Sequence, residues 1–130
     1  MTTKTAILGV LAASTLACSS AIFTVEMLGG PHRLLAKLVP PNSGLHKHHL
    51  VEVRFADKLK VAPGDIPAIA LTPAEHAKYT SRWLEKIARR NMDQPLRTDS
   101  AKIDDIWRAA QEVYEDAPEL LEFIQMFMNK

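Results

Sequence analysis

His48-His-Leu-Val-Glu-Val-Arg-Phe55, followed by Ile66-Pro-Ala-Ile-Ala-Leu-Thr-Pro-Ala-Glu-His76, is the stretch whose reading decides the fold. After the histidine pair, apolar and polar positions alternate from Leu50 to Phe55. Val51, Val53 and Phe55 would face a core, and Glu52 and Arg54 would face outward or into a site. Period-two alternation predicts a half-buried strand there. Ile66–Leu71 is a short apolar run and predicts a second strand. Pro67 assigns it to an edge or an irregular position, because proline cannot donate to a ladder. Thr72-Pro-Ala-Glu75 then has the chemistry of a helix start. Thr72 can cap, Pro73 suits the first helical position, and Glu75 completes a capping box. The helix is predicted to run to about Arg90, with His76 in its first turns. His76, Thr80, Trp83 and Ile87 share one face at the helical repeat. Lys78, Arg82, Lys86 and Arg89 lie opposite, as a solvated basic stripe.

Working outward, Gly29-Gly30-Pro31 and Pro40-Pro41-Asn42-Ser43-Gly44 read as breaks. The tail reads as two helices. In the first, Ile103, Ile106, Trp107, Ala110, Val113 and Tyr114 recur at helical spacing. Asp116-Ala-Pro-Glu119 restarts the chain into the second, with Leu120, Leu121, Ile124, Phe127 and Met128 as its apolar stripe. Upstream, Thr5 to Val25 carries no charged residue and follows Lys4. This apolar segment, placed at 1–30, has three readings: a signal peptide or a lipoprotein signal ending at Cys18, a membrane span, or a helix packed on the domain. Residues 31–130 form one domain, with a core at about 45–90 and a helical part at about 100–130.

The chain has 130 residues and ordinary apolar and charged fractions, which fits one folded globule with one core. Net charge is +1, but it is unevenly spread. From Leu28 to Arg97 there are 12 Lys/Arg against 6 Asp/Glu, and from Thr98 to Lys130 there are 3 against 8. A basic part that binds a polyanion fits this split, and so does a chain whose two halves pair with each other. The single cysteine excludes an internal disulfide framework and a cysteine-rich zinc site. No Gly-rich phosphate loop and no Gly-x-Ser-x-Gly elbow is present, so a nucleotide kinase or a serine hydrolase has no support. The histidines are the groups with chemistry to offer. Imidazole is the commonest metal-ligating side chain and titrates near neutral pH, so two adjacent rings can divide cation binding and proton transfer between them. Two solvated loop histidines are the plainer alternative.

The order of histidine pair, strand, loop, short strand and capped helix bearing a histidine resembles the ββα-metal arrangement of the HNH nuclease superfamily. The resemblance is closer to nuclease domains of bacterial polymorphic toxins. These often carry His-His-Ile-Val-Glu-Gln-Arg-Phe, then Ile-Pro-x-x-x-Leu-Thr-x-x-x-His, then Thr-x-x-Trp. The corresponding segments here are His48–Phe55, Ile66–His76 and Thr80-Ser-Arg-Trp83. The match covers about residues 45–90, and the tail with Tyr114 and its helix restart is similar too. Val53 stands where glutamine is usual. Thr80 stands where nuclease colicins place a further ligand histidine.

The resemblance implies an α+β fold, a hairpin-plus-helix core with additional N-terminal and C-terminal helices. It implies that His48 and His76 hold a divalent cation and that His49 activates water. With two neutral imidazoles and open positions, Mg²⁺, Mn²⁺ and Ni²⁺ suit the set as well as Zn²⁺. Arg54 would contact phosphate, and Glu52 would position a histidine or a water; a surface salt bridge between them is the alternative. Lys47 and His46 would add positive charge for substrate, and His32 reads as surface. The implied activity is phosphodiester hydrolysis by a toxin secreted or delivered into a target cell, on DNA in preference to RNA, with a cognate immunity protein as partner and a membrane only if the N-terminal segment is an anchor. A non-catalytic exported or lipid-anchored metal-binding protein and an RNase on the same fold are the competing readings.

Overall fold

The computed structural model describes residues 10–12 and 26–130. Four strands, β1 (Val10–Ala12), β2 (Glu26–Pro31), β3 (His46–His49) and β4 (Pro67–Leu71), form an antiparallel sheet in the order β1-β2-β4-β3. The described helices are α1 (His32–Leu38), α2 (Ala56–Leu59), α3 (Pro73–Lys86), α4 (Ile103–Val113) and α5 (Pro118–Met128). Single 3₁₀ turns occupy Val53–Phe55 and Pro63–Asp65. The α+β class read from the sequence is therefore observed, and the tail is two helices as the apolar spacing requires.

The register of β3 on β4 decides what each side chain can touch. His46 pairs Leu71, Lys47 pairs Ala70, His48 pairs Ile69 and His49 pairs Ala68. Residues directly opposite one another share a face of the sheet. One face therefore carries His46, His48, Ile69 and Leu71; the other carries Lys47, His49, Ala68 and Ala70. The first face joins the main core, where Phe55, Trp83, Ile106, Val113, Tyr114 and Ile124 are buried. The second face is lined by small alanines, and helix α1 lies close against it with Leu35 and Val39.

Several expectations change. The strand lies at 46–49, and Leu50–Phe55 is not one. Leu50 and Val51 are both buried and consecutive, Phe55 is buried, and Val53 is 43% exposed. Burial of Val51 and Phe55 at a spacing of four is a helical pattern, which the 3₁₀ turn followed by α2 satisfies. β4 is internal to the sheet; Pro67 is tolerated as its first residue, where its carbonyl accepts from the Leu50 N–H at 2.8 Å. Gly29 and Gly30 are strand residues of β2. At Gly29 a Cβ would lie 3.1 Å from Ile69 Cγ2, so the glycine leaves room for that β4 side chain. Helix α3 starts as predicted, with the reciprocal Thr72–Glu75 capping box in place. It stops at Lys86, where Ile87 turns extended and Ala88 bridges to Arg97. Lys78 and Arg82 pair with Asp116, and Lys86 pairs with Glu112. The basic stripe is therefore matched by acids at the end of α4 and just beyond it, as in a chain whose two halves pair. Such exposed pairs, screened by solvent, add little to stability.

In the N-terminal segment, Val10–Ala12 is strand where a helix was one of the expectations. The rest of that stretch, with Cys18 and the signal and anchor readings, lies outside the described residues. Among the described residues no helix is long and apolar enough to cross a membrane.

Candidate functional site

His48 is the one histidine that the fold encloses, 2% exposed on the core face of β3. Its Nε2 lies 2.8 Å from the hydroxyl of Tyr114. That hydroxyl donates to the Leu50 carbonyl at 2.8 Å and accepts from Trp83 Nε1 at 3.2 Å. A carbonyl only accepts and an indole N–H only donates, so the single phenolic proton is committed to Leu50. His48 Nε2 must then be the donor to Tyr114. In the neutral ring the lone pair is left on Nδ1, which is the form a metal ligand requires. Burial, reinforced by the neighbouring His76 and His49, lowers the His48 pKa from 6.5 to about 3, so the ring is neutral at physiological pH.

His76, in the first turn of α3, stands edge-on to His48 with ring centroids 5.2 Å apart. His46 joins it from the same face of β3, with the two Nδ1 atoms 3.3 Å apart. Burial lowers the His76 pKa, His46 adds to the effect, and the Glu52 carboxylate opposes it. Among the described residues no group of three or more His, Cys, Asp or Glu side chains stands together as a ready-made metal site. What the structure holds is a two-nitrogen pair, His46 and His76, with His48 in ring contact behind it.

His49 points to the other face of β3. There it stacks on His32 of α1, with centroids 3.9 Å apart and an interplanar angle of 14°. Burial, with His32 adding, lowers its pKa from 6.5 to about 4, while hydrogen bonding to the Pro63 backbone pulls the other way. Its Nε2 is buried without a protein partner. His49 is therefore also neutral near pH 7, with a carbonyl-oriented ring and an unpaired nitrogen. Lys47 shares this face, and its charge assists burial in lowering the His32 pKa.

Arg54 is spoken for within the fold. Its Nε donates to Glu52 at 2.6 Å, and its terminal nitrogens donate to the Ile87 and Ala88 carbonyls and to Thr98 Oγ1. The guanidinium thus binds the extended segment just past the end of α3, where Ala88 O also accepts from Thr98 N at 2.9 Å. Beside it runs an open groove of about 610 Å³ whose lining includes Val53, Asp57, Pro63, Arg89 and Arg90. It reaches the His49 face at Pro63 and stays apart from the His46–His76 pair.

The structure thus brings His48 and His76 together, sets His49 on the opposite face, and ties Glu52 to Arg54. His32, His46, Tyr114 and the Pro63 backbone join the site in roles that the linear reading did not assign. The signal that was present for His46 is the His46-x-His48 spacing, which puts both rings on one face of any strand. Protein-family models, curated proteins and solved structures all gave no match to this chain.

Proposed function

We propose that this chain is a metal-dependent endonuclease of the HNH, ββα-metal type, acting on DNA as a bacterial toxin domain and restrained by a cognate immunity protein. The observation that carries the reading is the local order strand β3, strand β4, helix α3, with His48 from the first strand and His76 from the helix start in ring contact. A neutral His49, next in the chain on the other face of β3, supports it. A divalent cation held by His48 and His76 would bind a phosphate oxygen and offset the charge that grows in the transition state. His49 is the water-activating base in this reading: its hydrogen bond to the Pro63 backbone fixes the ring, and Nε2, buried against His32, would take the proton of a water once that face is uncovered by substrate. A positioned base contributes about 10²–10⁴ in rate. Lys47, Arg89 and Arg90 supply positive charge for the backbone on the His49 side. Arg54 and Glu52 act by holding the frame of the site.

The test is cleavage of supercoiled plasmid by the purified chain with EDTA or with added Mg²⁺, Mn²⁺, Ni²⁺ or Zn²⁺, beside His49→Ala. Metal-dependent nicking by the wild type, lost in the variant with metal affinity unchanged, is the expected outcome. Normal cutting by His49→Ala removes it as the base. Failure of the wild type on plasmid and on RNA alike rejects the nuclease reading in favour of a non-catalytic metal-binding protein.

A further inference from the structure

We infer that His46 is a metal ligand, and that a divalent cation is held by three histidines, His46, His48 and His76. The inference rests on the cation reading above and extends its ligand set. Two imidazole nitrogens bound to one tetrahedral ion at about 2.0–2.1 Å lie about 3.3–3.4 Å apart. The His46 and His76 Nδ1 atoms are separated by 3.3 Å. That separation is within hydrogen-bonding reach when one ring carries the proton, and it equally fits two ligands of one ion. The same two nitrogens, Nδ1 on each ring, face each other, so one lone pair must be displaced by a proton unless a cation takes both.

The third nitrogen follows from the buried network. Tyr114 holds the Nε2 proton of His48, which leaves His48 Nδ1 as the coordinating atom. The ring stands edge-on to His76 at 5.2 Å, so His48 must close toward the pair for the ion to take all three. The strand supplies two ligands at i and i+2 on one face, and the first turn of α3 supplies the other. His46 is exposed, which gives an ion entry from solvent and a position for a water at the fourth site. Three histidines with one open position form a catalytic set for zinc-like ions. They also supply the ligand that Thr80 does not.

The experiment is a titration of the full chain with Co²⁺, read by visible absorption and by calorimetry, in wild type, His46→Ala and His46→Gln. Both variants are expected to lose at least about tenfold in Co²⁺ affinity, no less than the loss of an outer-shell partner. Their urea midpoints should stay at the wild-type value, because the ring is exposed. Co²⁺ binding by His46→Ala as tight as wild type, or no binding by wild type, overturns the assignment. Plasmid cutting separates the two readings. If His46→Ala binds and cuts like wild type, the third ligand falls and the nuclease stands. If affinity follows His46 but plasmid stays intact, the ligand stands and the nuclease falls.

Discussion

Tyr114→Phe removes one oxygen, and with it the junction of three buried polar groups. The Leu50 carbonyl and His48 Nε2 each lose a 2.8 Å contact, and Trp83 Nε1 loses one at 3.2 Å. Leaving a buried donor or acceptor unsatisfied costs about 1–3 kcal/mol. The Leu50 carbonyl lies on the backbone and cannot turn away, so it carries a full share. His48 can recover part of its share by rotating, and the longer Trp83 contact counts least. Phenylalanine also escapes the cost of burying a hydroxyl, which returns about 1 kcal/mol. The net expectation is destabilisation by about 3 kcal/mol, a large fraction of the roughly 5–15 kcal/mol that holds a domain of this size. With a urea slope of about 2 kcal/mol per molar, the midpoint should fall by about 1.5 M.

Urea unfolding followed by tryptophan fluorescence measures this directly, since Trp83 packs beside the substituted ring. Tyr79→Phe is the control. Tyr79 is nearly as buried, but its hydroxyl is set against the partly exposed Lys78 rather than within the buried network. It should change stability by less than about 1 kcal/mol. If the two variants lose the same small amount, Tyr114 is not the organising group, and the tautomer argued for His48 loses its basis. The variant has a second readout in metal affinity. Freed from Tyr114, His48 can place its proton on either nitrogen, and affinity should drop by about 10–100-fold.

The pH dependence of stability has a definite sign. The His48 pKa is about 3 in the folded chain against an ordinary 6.5, so the unfolded chain binds the extra proton between those values. Stability from keeping this ring neutral is therefore complete above about pH 6.5 and drains away as pH falls toward 3. The full displacement corresponds to roughly 5 kcal/mol. Urea midpoints should decline steeply from pH 7 to pH 4, and the decline should be shallower in His48→Gln; equal slopes would reject His48 as the acid-sensitive group. Arg54→Ala should destabilise by about 3–5 kcal/mol, because it strands the half-buried Glu52 carboxylate and opens the end of α3. A variant that melts like wild type yet binds DNA weakly would instead make Arg54 a phosphate contact.

What could be read from the linear sequence is what short-range chemistry decides. Thr72, Pro73 and Glu75 write the start of α3 within four residues, and the apolar spacing of Ile106, Ala110 and Val113 writes α4. The strand at 46–49 was hidden, because its core-facing residues are histidines and carry no hydrophobic pattern. His48 is buried against rings that arrive later in the chain, His76, Tyr79 and a tyrosine 66 positions on that bonds its Nε2. The end of α3 was hidden for the same kind of reason. Nothing local stops the helix at Lys86; the extended segment that follows is held by a bridge to Arg97 and by Arg54, more than thirty positions upstream. His32 looked like a surface residue because its partner, His49, is reached only when α1 folds over the alanine face of the sheet.

The two neighbouring histidines owe their different roles to register. A slip of one residue along β4 would exchange the faces of β3, sending Lys47 and His49 to the core and His48 to α1. Two features oppose the slip. Ile69 and Leu71 are large and fill the core, while Ala68 and Ala70 are small and admit a helix. Lys47 on the core side would also bury a charge where His48 now presents a neutral ring bonded to Tyr114. Register therefore separates His48 from His49 by the width of one strand, and with them the proposed cation and proton sides. Because β3 is last in the order of the sheet, the two sides meet along its outer rim. In the proposed nuclease a scissile phosphate must cross that rim to touch both, so the substrate would run across the strand and not lie flat on either face. Reversing the charge with Lys47→Glu should then lower DNA affinity without altering Co²⁺ affinity, and His46→Glu should alter both.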